Sequence, residues 1–448
     1  MKLWDKESNT KDADLQKKVE DFTVGSDKQW DIYLAKYDVE GSLAHAEMLC
    51  SIGLLSKVEY SSIQNGLQQI LKDIQQNKFT IEKGIEDVHS QIELLLTKYI
   101  GEAGKKIHSG RSRNDQSLLD IKLFIRHELK IIASLLKDFF ELLQRLSEQH
   151  KDVLLPGYTH TQIAMPSSFG LWFGAYAESL TDDLELLVAA YHVADRSPLG
   201  SAAGYGSSFP LNRELTTELL GFESMNYNSV YAQMTRGKTE KITAMALSVI
   251  ASTLGKLASD VCLYMSQNFG FINFPDELMT GSSIMPHKRN PDAFELIRAK
   301  CNRIQALPSE LTLLTSNLTS GYHRDLQLTK ECLFPAITEL KNCISMAQLM
   351  LQHIRVKKNI LDDEKYKYIF SVESVNELVF QGVPFREAYR TVAKEINDKT
   401  FSPSKNVNHT HEGSIGNLCN DKIADRFKRL FEKLILHLQE KMNNQLLR

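Results

Sequence analysis

A chain of 448 residues, 42% hydrophobic and 24% charged, has the make-up of a globular protein long enough for two to four domains or one long multi-element body. Its formal charge of −3 argues against nucleic acid or an anionic membrane as the main partner, so any anion binding has to be local. The six cysteines, Cys50, Cys262, Cys301, Cys332, Cys343 and Cys419, form no C-x-x-C pair and no zinc-finger spacing with histidine, which predicts free thiols in a reducing, cytoplasmic setting and no metal centre.

Met1–Asn9 is charged and lacks an apolar stretch, so no signal peptide is expected. Residues 1–110 read as shorter helices and turns and form a first predicted domain. At 107–116 the run Ile-His-Ser-Gly-Arg-Ser-Arg-Asn-Asp-Gln sets Arg111 and Arg113 two apart, with Ser112 and Asn114 between and after them. That set presents several donors to a carboxylate. Ser112 or Asn114 serves equally well as the cap of a following helix, and the spacing leaves both readings open.

From Arg111 to Leu155 there is neither Gly nor Pro. Apolar residues recur at helical spacing, from Leu118, Ile121, Ile125 and Leu129 to Leu143 and Leu146. This predicts a helix of about 35 residues, roughly 50 Å long. Asp120, Lys122, Arg126, Glu128, Lys130, Lys137 and Asp138 interrupt the stretch and exclude a simple membrane span. Its apolar residues occupy more than one face, which predicts burial among several neighbours, as in a bundle.

A break follows at Leu155-Pro-Gly-Tyr-Thr-His-Thr-Gln162. Pro156-Gly157 marks a turn. His160, flanked by the hydroxyls of Thr159 and Thr161, is the type of side chain that carries protons near neutral pH, although a lone loop histidine is more often a surface residue. Helices are predicted at 168–194, 238–268, 291–317 and 327–356. Pro308 is expected to kink or break the third of these, and Gly255 to weaken the second. The run 197–208, Ser-Pro-Leu-Gly-Ser-Ala-Ala-Gly-Tyr-Gly-Ser-Ser, lacks the G-x-G-x-x-G spacing and a preceding strand, and reads as a tight loop packed under a helix.

Residues 281–292, Gly-Ser-Ser-Ile-Met-Pro-His-Lys-Arg-Asn-Pro-Asp, carry the most information. A P-loop needs Gly where His287 stands, so this is a different device. Backbone N–H groups around Gly281–Ile284 are expected to form an anion nest to which Lys288 adds charge. Asn290-Pro291-Asp292 reads as a helix start with Pro at its first position. An ordinary turn plus a cap leaves Met285-Pro286 and the Lys288-Arg289 pair unexplained. In the last island, Ser320–Lys330, Gln327 and Lys330 share a helical face behind Tyr322, and taken alone a solvated helix start explains most of it. The segment 111–356 thus forms a central long-helix domain, and 357–448 a small helical domain with shorter helices and a polar loop at 402–414. Alternating strand patterns are nearly absent, so the predicted class is all-α.

Together these breaks resemble the fumarase/aspartase superfamily, whose GSSxMPxKxNP signature matches Gly281–Pro291. Within it, His108–Gln116, Pro156–His160, Glu86–His89, Asp38–Ser42 and Tyr322–Lys330 resemble the argininosuccinate lyase family. The similarity runs in order over roughly residues 20–390. It implies an all-α, three-domain homotetramer around a central bundle of long helices, with three subunits contributing to each active site. It implies reversible cleavage of argininosuccinate to arginine and fumarate without metal or organic cofactor. Position by position, it makes Ser282 and His160 the acid/base pair and has Glu295 orient His160. Lys288 and Asn290 would hold the succinyl carboxylates, while Arg113, Asn114, Thr159 and Arg236 would contact substrate. Tyr322, Gln327 and Lys330 would bind on the arginine side. Departures from the family pattern are Met234-Thr235-Arg236-Gly237 in place of Ser-x-Arg-Asp, Asp27 beside Ser26 in place of a substrate-binding Ser, and His287 and Arg289 in place of Gln and Lys. Adenylosuccinate lyase, fumarase and aspartase chemistry, or a non-catalytic crystallin-like role, are the alternatives within the same fold.

Overall fold

The computed structural model describes residues 13–446. The first part holds α1 (Ala13–Val24), α2 (Asp27–Asp31), α3 (Ala35–Ser51), α4 (Lys57–Gln75) and α5 (Val88–Ile100). The long α6 (Arg113–Gln149) leads into β1 (Leu154–Thr159), β2 (Gln162–Ser168) and α7 (Phe169–Ala194). A looser stretch carries β3 (Arg196–Ser197), α8 (Arg213–Leu219), β4 (Ser224–Met225) and α9 (Ser229–Met234). Then follow α10 (Lys238–Met265), β5 (Ile272–Asn273), α11 (Asp292–Leu314), α12 (Thr329–Gln352) and β6 (Arg355–Val356). The chain closes with α13 (Ser371–Phe380), α14 (Phe385–Asn397) and α15 (Asn420–Leu446). The fold is all-α, and its strands are short and paired two by two.

The core is a bundle in which α10 runs against α7, α11 and α12, and α6 lies on α7 and α12. Helix α6 begins where Ser112 and Asp115 form a capping box, which satisfies N–H groups that the first turn leaves open. At 37 residues it is about 55 Å long. The charges that interrupt its apolar pattern near its start are buried rather than solvated, and three of them have clear partners. Lys122 donates to the Arg196 carbonyl at 2.9 Å and to Asn226 Oδ1 at 2.7 Å. Arg126 sits 3.0 Å from Asp195, and Glu128 pairs with Lys341. Helix α10 is long and apolar enough by composition to cross a membrane, but 56% of its apolar window is buried inside the protein, as suits the centre of a bundle.

Four local expectations change. Helix α11 runs unbroken through Pro308, because Ile304, Leu307 and Leu311 on both sides of the proline are buried in the same core. Burying three such side chains outweighs the roughly 3 kcal/mol a helical proline costs. Pro291 stands at the N-cap of α11 rather than at its first turn. Helices after residue 357 do not all shorten. α13 and α14 do, around a small core of Val375, Ala388, Val392 and Phe401, but α15 spans 27 residues and returns to α6 and α7. There Phe427 stacks on Phe140 with centroids 4.0 Å apart, and Asn420 Nδ2 donates to Ser147 Oγ at 3.0 Å.

The break at 155–162 is a β-hairpin. Thr159 pairs with Gln162, so the two-residue turn is His160-Thr161 and not Pro156-Gly157. Both turn residues have left-handed φ, 52° and 60°, the conformation that matches the twist of two paired strands. Gly157 is required one step earlier, since a Cβ there would lie 2.8 Å from the Met165 carbonyl oxygen on the facing strand.

Candidate functional site

Six of the residues singled out in the sequence meet at one cavity of about 180 Å³: Arg113, Asn114, Arg236, Tyr322, Gln327 and Lys330. They come from the start of α6, the turn before α10 and the turn leading into α12. The open choice at 112–114 is resolved by division of labour, because Ser112 caps α6 while Asn114 faces the cavity. Arg113 is held at 3.0 Å from Asp87 and 3.3 Å from Glu86, and donates to Ser90 Oγ at 2.9 Å. Below it, Asp115 accepts the Gly200 and Ala202 N–H groups, each at 2.9 Å, so the 197–208 loop packs under the start of α6 as expected. Burial raises the Asp115 carboxyl to about 6 in spite of these donors.

Arg236 keeps its place without the usual flanking residues. Its Nε lies 2.9 Å from Glu240, and it donates to Ser117 Oγ at 3.2 Å and to the Leu326 carbonyl at 3.0 Å. Glu240 in turn accepts the Gly237 N–H at 2.8 Å, closing the first turn of α10. Gly237 has φ of 76°, and a Cβ there would lie 2.8 Å from Thr315, so the turn needs glycine.

Three acidic neighbours join them: Asp27, marked in the sequence only as a departure from the family pattern, Asp120, marked only as a charge within the long helix, and Asp31, which carries no sequence signal. Lys330 lies 2.8 Å from Asp27 and also contacts Asp31. Burial, reinforced by Asp31 and opposed by Lys330, lifts the Asp27 carboxyl to about 6. Burial works against the Lys330 charge, but Asp31 and Asp27 raise its pKa above the ordinary lysine value. Behind this pair, His89 reaches the cavity with Nδ1 on Asp38, whose Oδ2 also accepts the Gln116 amide at 2.6 Å, while Asp120 lies 3.5 Å away. The hints in the sequence are the Glu86–His89 and Asp38–Ser42 runs, and neither has a periodicity to betray a buried partner.

His89, Asp38 and Asp120 form a charged cluster inside the protein. Burial opposes the imidazolium, but Asp38, then Asp120 and Asp87, outweigh it and raise His89 to about 9. Burial pushes Asp38 up as well, yet His89 and its hydrogen bond hold it below the ordinary carboxylate range. Burial and then Asp38 drive Asp120 well above that range, and neither Asp120 oxygen receives a hydrogen bond among the described residues. Possible ligand atoms of the three lie within 4.8 Å of one another, a spacing a divalent cation accepts. The sign of the pH effect follows. A histidine raised from 6.5 to about 9 contributes stability that is complete below pH 6.5 and is lost as pH rises through 9. Asp120, raised by burial and Asp38, acts in the same direction, its contribution falling from pH 3.8 upward. The melting temperature is therefore expected to fall between pH 7 and pH 10, and His89→Gln to flatten that fall. Calorimetry across the range checks it, and an equal slope in both proteins would exclude the cluster as the cause.

The remaining candidates lie elsewhere. Thr159 and His160 are exposed at the hairpin tip, and Lys288 and Glu295 are exposed around the 281–292 loop. None of them, nor Ser282 or Asn290, lines the cavity within one copy of the chain. The loop is closed by the Asn290 N–H donating to the Thr280 carbonyl at 2.9 Å. The expected open nest is partly filled, because Ser282 Oγ itself accepts the N–H groups of Ile284 at 3.4 Å and Met285 at 3.2 Å. Two donors at one hydroxyl oxygen favour negative charge on it.

A family model described as a lyase matches residues 15–306. The chain is 57% identical over 431 residues to an argininosuccinate lyase of Bacteroides fragilis, covering 96% of this chain and 95% of that one. It is 40% identical over 394 residues to an argininosuccinate lyase of Thermotoga neapolitana, covering 88% of this chain and 98% of the relative. Among solved structures, a variant of EDDS lyase with bound fumarate superposes with a TM-score of 0.74 at 21% identity, covering 95% of this chain and 93% of that one. A class II fumarase of Schistosoma mansoni gives 0.71 at 15% identity, with 91% of each chain covered. These two likenesses concern the fold.

Proposed function

The chain belongs to the argininosuccinate lyases of the fumarase/aspartase superfamily, and from that premise we infer how its residues divide the work. The enzyme cleaves argininosuccinate reversibly to L-arginine and fumarate. The observation that carries this is agreement along almost the whole chain with relatives of that single activity. The reaction is an anti elimination. A base takes the proton from the carbon beside a succinyl carboxylate, the electron pair moves into an aci-carboxylate, and the C–N bond then breaks. The leaving guanidine nitrogen takes a proton. The carbon acid is weak, so stabilising the dianion dominates the barrier.

In this reading Lys288, Asn290 and those N–H groups around Gly281–Ile284 that do not donate to Ser282 hold the dianion. Ser282 and His160 form the acid/base pair, with Ser282 as base and His160, oriented by Glu295, as acid to the guanidine. Arg113, Asn114, Thr159 and Arg236 position the substrate, and Tyr322, Gln327 and Lys330 take its arginine end. A complete site draws on more than one copy, since the Ser282 loop and the His160 hairpin are exposed while the cavity lies apart from both. A homotetramer meets that need. Exposed apolar side chains on the bundle helices support it: Met245 and Leu263 on α10, Leu296 and Leu313 on α11, Met346 and Leu349 on α12. The six unpaired cysteines support a cytoplasmic setting. We divide the chain at 110 and 356 into three domains, with α15 packing back on the central one.

The test is turnover followed by mixing. Purified protein is expected to release fumarate from argininosuccinate and to sediment at four times the 50.9 kDa of one chain. Inactive Ser282→Ala and Lys330→Met proteins, dissociated and reassembled together, are expected to regain activity, because some sites then receive both intact residues. Mixed assemblies as inactive as their parents would place the whole site within one copy.

A further inference from the structure

The hairpin that carries His160 has little to aim it from within. Its strands lose register between Pro156 and Tyr158, and beyond that break the tip is tied by the Tyr158–Ile163 and Thr159–Gln162 pairs. An irregularity of this kind lets a paired strand bend. Strand β2 gives no anchor there, since Ile163 and Met165 are 41% and 39% exposed. Lateral support comes from β1. The Tyr158 ring lies edge-on against Phe269 with centroids 5.5 Å apart. Phe271 continues the wall, 5.2 Å from Phe269 and 6.4 Å from the ring of Tyr366. The Tyr158 and Tyr366 hydroxyls share a hydrogen bond. Tyr366 is buried in the short helical turn Glu364–Phe370, which the fully buried Ile369 and Phe370 pin to the main core. Ring packing sets a distance, whereas a hydrogen bond at the phenol end sets a direction. Burial lifts both phenols above the ordinary tyrosine range, so neither trades protons near neutral pH and the role left to the pair is geometric.

We propose that Tyr366 is a positioning residue: through its hydrogen bond to Tyr158 it fixes the bend of the β1–β2 hairpin and hence the aim of His160, two residues further on. This rests on His160 acting as the acid, as read above. The segment leading into α13 thereby governs proton delivery to the leaving nitrogen, although Tyr366 does not line the cavity.

The test uses full-length Tyr366→Phe, which keeps the ring and removes the oxygen. Fumarate release from argininosuccinate is expected to fall about tenfold in kcat, the scale of a slightly displaced reacting group, with KM within about twofold of the parent. Tyr158→Phe should show the same loss, and the double variant no more than either, because all three break one bond. The deciding measurement is made in the His160→Asn background. There Tyr366→Phe should change the residual turnover by less than about twofold, since no imidazole is left to aim. A loss that persists undiminished in that background, or a Tyr366→Phe enzyme with parental kcat, overturns the assignment, as does a raised KM with kcat intact. If the parent releases no fumarate, or His160→Asn keeps the parental kcat, the functional reading fails rather than this one. Should Tyr366→Phe not assemble on size exclusion, Tyr158→Phe removes the same bond from the hairpin side and decides by the same comparisons.

Discussion

Replacing Ser282 by alanine is expected to abolish fumarate release while the protein stays folded and assembled. The hydroxyl oxygen lies where the Ile284 and Met285 N–H groups converge, and alanine removes the oxygen we propose as the base. Losing a residue that acts on the reacting bond costs on the order of 10³-fold or more in kcat. The loop itself survives, because the Thr280–Asn290 backbone bridge and the Thr280–Asp292 contact close it from both sides. Stability should change by less than about 1 kcal/mol, as for a half-buried loop substitution away from the core. Absorbance of fumarate gives the rate, and sedimentation with thermal melting gives the fold. Turnover within tenfold of the parent would remove Ser282 from the chemistry.

His160→Asn is the second large effect, with kcat expected to fall by at least about 10², the scale of one acid/base group. Asparagine is the informative replacement. His160 is the first turn residue of the β1–β2 hairpin with φ of 52°, and asparagine adopts that left-handed conformation readily. The hairpin therefore keeps its shape, and the loss reports the imidazole. Alanine or valine would confound the chemistry with strain in the turn. Since His160 lies apart from the cavity to which we assign the arginine end, KM should change by only a few-fold. A raised KM with kcat intact would make it a binding residue instead of a proton carrier.

Much of this is legible in the order of the amino acids. Ser112 as a cap, the unbroken run after it and the apolar spacing from Leu118 to Leu146 foretell α6 nearly to its ends, because capping and periodicity act within a turn or two of the chain. Arg113, Gln327 and Lys330 stand out by composition in breaks between helices. Pro308 does not break α11, because propensity is a local cost and the core on either side of it is a larger, non-local gain. The hairpin leaves little trace because its turn is His-Thr rather than an Asn-Gly pair, so no residue advertises the left-handed bend. His89 and Asp38 stand in runs that resemble the family, but no pattern joins them to each other or to Asp120. They meet from α3, α5 and α6, and nothing along the chain couples one to another.

The sequence alone determined the helices, the breaks and the chemical types standing in those breaks, since each depends on residues within about four positions of one another. Tertiary structure decided which breaks face a common cavity, that Lys330 is shared between Asp27 and Asp31, and that Ser282 and His160 stay outside it in a single copy. Those outcomes depend on how helices far apart along the chain pack their apolar faces together, and no short-range rule carries that information.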